Sequence, residues 1–416
     1  MKRVIVIGGG ASGMAAAYQA ANAGGDVLLL EQNEKLGKKL FITGKGRCNL
    51  TNDSDPGTLL QNVVRNPKFL FSAFYGFTPE DVQNLMRENG CSVKTERGNR
   101  VFPVSDHSSD VIKAWERALG KAGVTVKLNT KVTGIKASEN FVEGIFASED
   151  GRAARFYGAD AFVVATGGIT YPATGSTGDG YRFLRSLGVG ITDCYPSLVP
   201  LETSETWPAK LSGLTLKNVS VVFSQHGKSV YEDFGELLFT HFGISGPTVL
   251  SASAFLTEKL AKGERVGLSI DLKPALAFET VDRKIVSMIE EAPKSSLRNA
   301  LRPLLPSSLL AVMLDLAHVS SDHQASLLTK EERAAIVSKV KALPLTITRT
   351  RSAAEAVVTD GGVDVSEIDP KTMRIKKYRN LYAAGELIDV DAKTGGFNLQ
   401  IAWSTGILAG KNAGGN

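Results

Sequence analysis

Residues 3–31 read RVIVIGGGASGMAAAYQAANAGGDVLLLE, and this stretch decides the fold. RVIVI is a short β-branched run, the pattern of a strand buried on both faces of a parallel sheet. Gly8, Gly10 and Gly13 follow as G-x-G-x-x-G, an alanine-rich helix closes at Gly24 and Gly25, and DVLLL forms a second buried strand ending at Glu31. In this strand–turn–helix setting Gly8 makes the tight turn and Gly10 lets the backbone approach a pyrophosphate. Gly13 lets helix and strand pack closely. The helix start, with Ala11 and Ser12, offers free N–H groups and a positive dipole end to phosphates. Glu31, 23 positions after Gly8, is an acceptor for ribose hydroxyls, with Gln32 beside it. The stretch predicts a dinucleotide site and disfavours a 2′-phosphate as resident ligand.

Working outward, 416 residues predict two to three domains. With 43% hydrophobic and 22% charged residues the chain can bury a core and solvate its surface, which excludes a disordered or fibrous protein. Three separated cysteines (Cys48, Cys91, Cys194) form no disulfide framework or zinc motif, and no metal site is expected. MKRVIVIGGG has no leader-like apolar run, so a cytoplasmic, non-membrane setting is expected. The net charge is +5, with 23 Lys and Arg against 18 Asp and Glu in residues 1–191. That excess permits an anionic partner without identifying one.

Two further glycine clusters extend the first. FVVA (162–165) reads as a buried strand, followed by Thr166, Gly167, Gly168 and a loop leading to a helix near Asp179. LYAAG (381–385) is a short strand before Glu386, Asp389, Gly395 and Gly396, and an apolar helix is expected from about Asn398 to Gly410. Glycine loops at the carboxyl ends of parallel strands face one crevice, so Glu386 and Asp389 are expected at ribityl hydroxyls. Between the first two clusters, Lys35 to Arg47 place five positive charges in thirteen residues. This segment reads either as a solvated loop or as a strip along an anionic cofactor, with Asn49 and Asn52 offering amides. The fold class is α/β: a Rossmann-like three-layer domain with an inserted barrel-like and helical region. Its parts are expected at 1–191, 192–345 (192–275 β-rich, 276–345 helical) and 346–416.

The blocks GGGASG (8–13), ITGKGRCNLTN (42–52), VVATGGITYPATGSTGDGY (163–181), GELLFTHFGISGP (235–247), VTDGGV (358–363) and TGGFNLQIAWSTG (394–406) resemble the bacterial BaiN/RdsA-type NAD(P)/FAD-dependent oxidoreductases over essentially the whole chain. The resemblance implies FAD held in a glutathione-reductase-like domain, with transient NAD(P)H, since only one complete fingerprint is present. It assigns Lys39, Gly46, Arg47, Cys48 and Asn49 to a loop near the flavin. It further assigns Val132, Thr166, Gly167 and Gly168 to the middle segments. Gly385, Glu386, Gly395, Gly396, Phe397, Asn398 and Leu399 belong to the closing motif. Asp391-Ala392-Lys393 replaces the family's usual Asp-Gly-Tyr, and Trp403 its usual Phe.

Family activities include reduction of 3-oxo-Δ4 or Δ6 bile acid intermediates, dihydrouridine formation in large-subunit ribosomal RNA, and aminoacetone oxidation. The first two share a C=C bond conjugated to a carbonyl. The expectation adopted is uridine in rRNA, with a small hydrophobic enone as the alternative, an amine or aminoketone oxidase behind it, and a non-catalytic flavin-binding protein least favoured. Three basic clusters (Lys35 to Arg47; Lys94, Arg97 and Arg100; Arg374, Lys376, Lys377 and Arg379) argue for RNA. The lack of an RRM or KH signature argues against it. Two proton donors are considered. Cys48 beside Arg47 is either a thiol of lowered pKa or a small packing residue. His241 either shuttles a proton or stabilises its turn. The oligomeric state is left open.

Overall fold

The computed structural model describes residues 1–415. The first unit, residues 1–197 and 352–416, is built on a five-stranded parallel sheet. Its labelled elements are β1 (Arg3–Ile7), α1 (Ala11–Asn22), β2 (Asp26–Leu30), β3 (Thr125–Lys127), β4 (Ala161–Val164), α2 (Asp179–Ser186), β5 (Tyr195–Ser197), β6 (Val358–Asp360), β7 (Leu381–Ala383) and α3 (Phe397–Gly414). The sheet order is β7-β4-β1-β2-β3. Val4 to Ile7 are buried in one core with Ala15 to Ala17 of α1, Ile407 of α3 and Val142 and Ile145 of the meander 130–158, as a both-faces-covered parallel strand requires.

The alanines of α1 have a packing cause. A Cβ at Gly406, Gly410 or Gly414 of α3 would lie 2.4, 2.2 and 2.2 Å from the carbonyl oxygens of Ser12, Ala16 and Ala20. The two helices therefore meet backbone to backbone, which only small residues allow. This also explains why α3 runs on to Gly414 rather than ending near Gly410. Trp403 stacks on Trp115 at 5.0 Å between ring centroids and donates its Nε1–H to the Leu50 carbonyl at 2.8 Å. The larger aromatic anchors the segment after Cys48.

The second unit runs from Leu198 to Arg351. It holds a closed barrel of strands Leu201–Thr203, Gly243–Ser245, Lys228–Thr240, Thr215–Gln225, Val266–Asp271 and Leu343–Thr350, with helices Phe278–Glu291, Ser307–Leu316 and Lys330–Lys341. It thus begins at 198 instead of 192 and ends at 351 instead of 345. Tyr195–Ser197 pairs with Val358–Asp360 inside the first unit, and Leu343–Thr350 pairs with two barrel strands to close the ring. Thr329 and Glu332 form a capping box at the start of the last of these helices.

Candidate active site: an FAD crevice at the strand ends

The loops after β1, β2, β4 and β7 leave the same edge of the sheet, because these strands are parallel. At the β1 loop, Gly8 has φ +106°, and a Cβ at Gly13 would lie 1.7 Å from the Gly8 carbonyl oxygen. A Cβ at Gly10 would meet nothing within 4 Å. The turn is thus closed where helix meets strand and open where a phosphate would lie. Gly385 (φ +76°) packs on Ser12, whose Oγ would be 2.3 Å from an added Cβ, so the first and last glycine loops are in contact. Glu31 is buried and accepts from the Gly9 N–H (2.6 Å), the Asn33 N–H (2.8 Å) and Asn33 Nδ2 (2.7 Å). Burial raises its pKa, and these hydrogen bonds oppose the rise. Gln32 and Asn33 donate to the carbonyls of Gly175 and Thr174, which fastens the loop after β4 over this end.

Glu386 organises the other end. Its Oε2 accepts from Lys39 Nζ at 2.6 Å, and its Oε1 accepts from Thr170 Oγ1 (2.8 Å), Thr359 N (3.0 Å) and Thr359 Oγ1 (2.9 Å). Gly168 permits this convergence, since an added Cβ would lie 2.0 Å from Thr359 Oγ1. Gly396 (φ +98°) brings the start of α3 against the Thr51 carbonyl, 2.3 Å from a would-be Cβ. The residues fit FAD: an open phosphate turn at a helix start, a buried acid after β2, and a second glycine turn opening α3. The buried Asn49 Oδ1 adds an acceptor with no hydrogen-bond partner among the described residues.

Other expected residues have protein partners. Arg47 is paired with Glu96 and Asp106, both at 2.6 Å, and lies over the Phe102 ring. It therefore does not lower the Cys48 thiol. Cys48 is 0% exposed, and burial pushes it up to about 12. The Asn52 amide donates to the Gly98 and Gly395 carbonyls. Asn398 brackets Ala392, accepting from its N–H (2.9 Å) and donating to its carbonyl (2.7 Å). Asp389 lies beside Arg65 (3.6 Å) and Thr166 packs against Gly180 of α2, but Asp389 Oδ1 and Thr166 Oγ1 are buried with no hydrogen-bond partner among the described residues. Val132 and Phe397 are buried, Leu399 is half-buried, and Gly46 (φ +83°) has open space at its Cβ position. Gly167 has φ +71° and lies against Ser176.

In the second unit, His241 is exposed in the turn between Lys228–Thr240 and Gly243–Ser245, edge-on to Phe242. Sequence reasoning missed Gly9, Asn33, Thr359 and Arg65. Thr359 at least lies inside the block VTDGGV, where a hydroxyl beside paired glycines was a usable signal.

The basic clusters are largely engaged. Lys38 pairs with Glu34, Lys39 with Glu386 and Lys94 with Asp106, while Lys376 and Lys377 donate to backbone carbonyls. Among the described residues no helix is long and apolar enough to cross a membrane.

The family profile of the HI0933-like protein Rossmann domain matches residues 2–412. The chain is 32% identical to the 3-dehydro-bile acid delta(4,6)-reductase of Clostridium scindens, over 99% of both chains. It is 31% identical to the ribosomal RNA dihydrouridine synthase of Escherichia coli K12, over 96% of this chain and 95% of that one. In fold it is similar to the 3-ketosteroid-delta4-(5alpha)-dehydrogenase of Rhodococcus jostii RHA1, with a TM-score of 0.56, 16% identity, and coverage of 100% and 97%. Strand-end glycines, buried acid and full-length similarity together place the chain in the HI0933-like family, related to the BaiN/RdsA-type flavoproteins, as an FAD-dependent oxidoreductase.

Proposed function

We propose that the protein reduces a carbon–carbon double bond conjugated to a carbonyl in a small hydrophobic enone of the 3-oxo-Δ4 steroid or bile acid class. The observation that carries this is the end-to-end similarity to a bile acid Δ4,6-reductase. The ion pairing of the basic clusters adds to it. Lys38, Lys39, Arg47 and Lys94 each face a carboxylate, which reduces their pull on a phosphate backbone. This reverses the order expected from sequence. Uridine in large-subunit rRNA becomes the second reading, supported by the similarity to the dihydrouridine synthase.

Bound FAD supplies hydride transfer to the electron-poor β-carbon, with NAD(P)H as the proposed transient donor. The chain's own residues hold the cofactor and deliver the proton. Gly10 and the start of α1 take the pyrophosphate, Glu31 the ribose, and the Gly395–Gly396 turn the flavin end. Lys39 neutralises Glu386 beside that turn. An imidazole is chemically competent to donate the α-carbon proton, and His241 is the candidate that the test addresses. Cys48 is assigned to packing, because a wholly buried neutral thiol reaches no substrate. The test is anaerobic single turnover with a 3-oxo-Δ4 steroid in the parent and in His241→Gln. Retained substrate reduction across pH 6 to 9 in the variant removes His241 from the reaction, and no turnover in the parent removes the enone.

A further inference from the structure

A buried carboxyl outside the catalytic description sits behind the cofactor loop. Asp391 is 1% exposed, its Oδ2 meets Ser197 Oγ of β5 at 3.0 Å, and its Oδ1 has no hydrogen-bond partner among the described residues. Two more acids crowd it. Asp360 of β6 pairs with Arg65 Nη1 at 2.8 Å, and Asp389 lies 3.6 Å from Arg65 Nε. The guanidinium contacts these two, and Asp391 meets a hydroxyl instead. An ionised carboxylate without a contacting cation, buried beside two others, is far more costly than a neutral acid in the same place.

The same residue is wired to the Gly395–Gly396 turn. Its carbonyl accepts from Val64 N at 2.8 Å, and the next residue, Ala392, is bracketed by Asn398, the second residue of α3. A line of contacts therefore runs from Ser197 through Asp391, Ala392 and Asn398 to the helix start assigned to the flavin.

We infer that Asp391 is a positioning residue for the cofactor loop that works as a neutral acid: uncharged, it lets residues 389–396 seat beside β5 and β6, and its ionisation, which buries a further negative charge against Asp360 and Asp389, loosens them. The inference rests on the assignment of the Gly395–Gly396 turn to FAD. The titratable and charged groups around it are Arg65 from the segment before residue 66, Asp360 from β6 and Asp389 from its own loop. Farther out, Asp364, Cys194 and Tyr181 face Asp389. Burial first, then Asp360, pushes Asp391 up to about 8, against the opposing pull of Ser197 and Arg65. The sign follows from that direction. A group raised above its ordinary 3.8 stabilises the folded loop most fully at low pH, and the contribution is gone once pH has risen through the raised value.

The test measures FAD dissociation constants for the full chain at pH 7 and pH 9. If only the protonated form holds the loop, the competent fraction falls from roughly nine tenths to roughly one tenth, and the wild-type constant rises about tenfold. Asp391→Asn keeps the neutral hydrogen-bonding shape, so its constant stays level between the two pH values. Equal pH profiles in the two proteins overturn the inference while leaving FAD binding intact. A second measurement needs no folded variant. Infrared difference spectra of the wild type are expected to show a protonated carboxyl band at pH 7 that is lost by pH 9. Its absence at pH 7 overturns the inference even where FAD binds.

Discussion

At the carboxyl end of β1 a Cβ on Gly10 would meet nothing within 4 Å; along α3 a Cβ on Gly410 would lie 2.2 Å from the Ala16 carbonyl oxygen. Both glycines sit at the α1 side of the same unit, and they serve opposite needs. Gly10 leaves room for a ligand and Gly410 leaves room for the protein. The difference teaches that glycine richness in this chain is two signals laid over each other, and that substitution should separate them into loss of cofactor and loss of fold.

The largest expected effect is on the packing side. Gly410→Val must push α3 from α1, at a cost of about 3 kcal/mol, read as a fall in Tm of the FAD-free protein. An unchanged Tm would break the comparison. Next, Gly10→Val lowers the FAD-free Tm only slightly, because Gly10 has a φ of −79° that a β-branched residue adopts and the poorer N-cap costs about 1 kcal/mol. It should weaken FAD about a hundredfold, equivalent to ~2.8 kcal/mol. A variant that unfolds while its FAD affinity holds would reverse the assignment of the two glycines.

Which of these was legible in sequence follows from chain distance. Strand, G-x-G-x-x-G, helix and Glu31 lie within 31 residues, so the spacing carried both the fold and the phosphate turn. The closing half depends on partners far away: Glu386 meets Lys39 and Thr170, and Gly396 meets Thr51. Periodicity does not encode such pairs. The resemblance assigned Glu386 and Lys39 to the flavin end separately, and said nothing of the ion pair they form with each other. Cys48 shows the same gap. Its neighbour Arg47 suggested a lowered thiol, yet Glu96 and Asp106, which claim that cation, lie 49 and 59 residues downstream of it. The barrel was legible as strand-rich, but its last strand was not. Leu343–Thr350 follows a helix and closes the ring by pairing with strands that begin at Leu201 and Val266.

Smaller effects sharpen the comparison at the flavin end. Lys39→Met removes the cation from a half-buried Glu386 and leaves its Oε2 unmatched. We expect a loss of about 2 kcal/mol, divided between Tm and FAD affinity, and Glu386→Gln in the same chain should recover part of it. A single variant with parental FAD affinity and Tm would show the pair to be idle. Smallest is Cys48→Ala. Removing one sulfur from a packed site costs about 1 kcal/mol, and the rate of flavin reoxidation by substrate should match the parent. A slowed rate with unchanged stability would return Cys48 to the reaction.

The most direct measurement of the central claim is the absorbance of the bound flavin after anaerobic reduction and mixing with one candidate acceptor at a time. The account predicts that a 3-oxo-Δ4 steroid restores the oxidised flavin bands and is itself recovered with its conjugated double bond reduced. Flavin that stays reduced with the steroid and is reoxidised by large-subunit ribosomal RNA would contradict it.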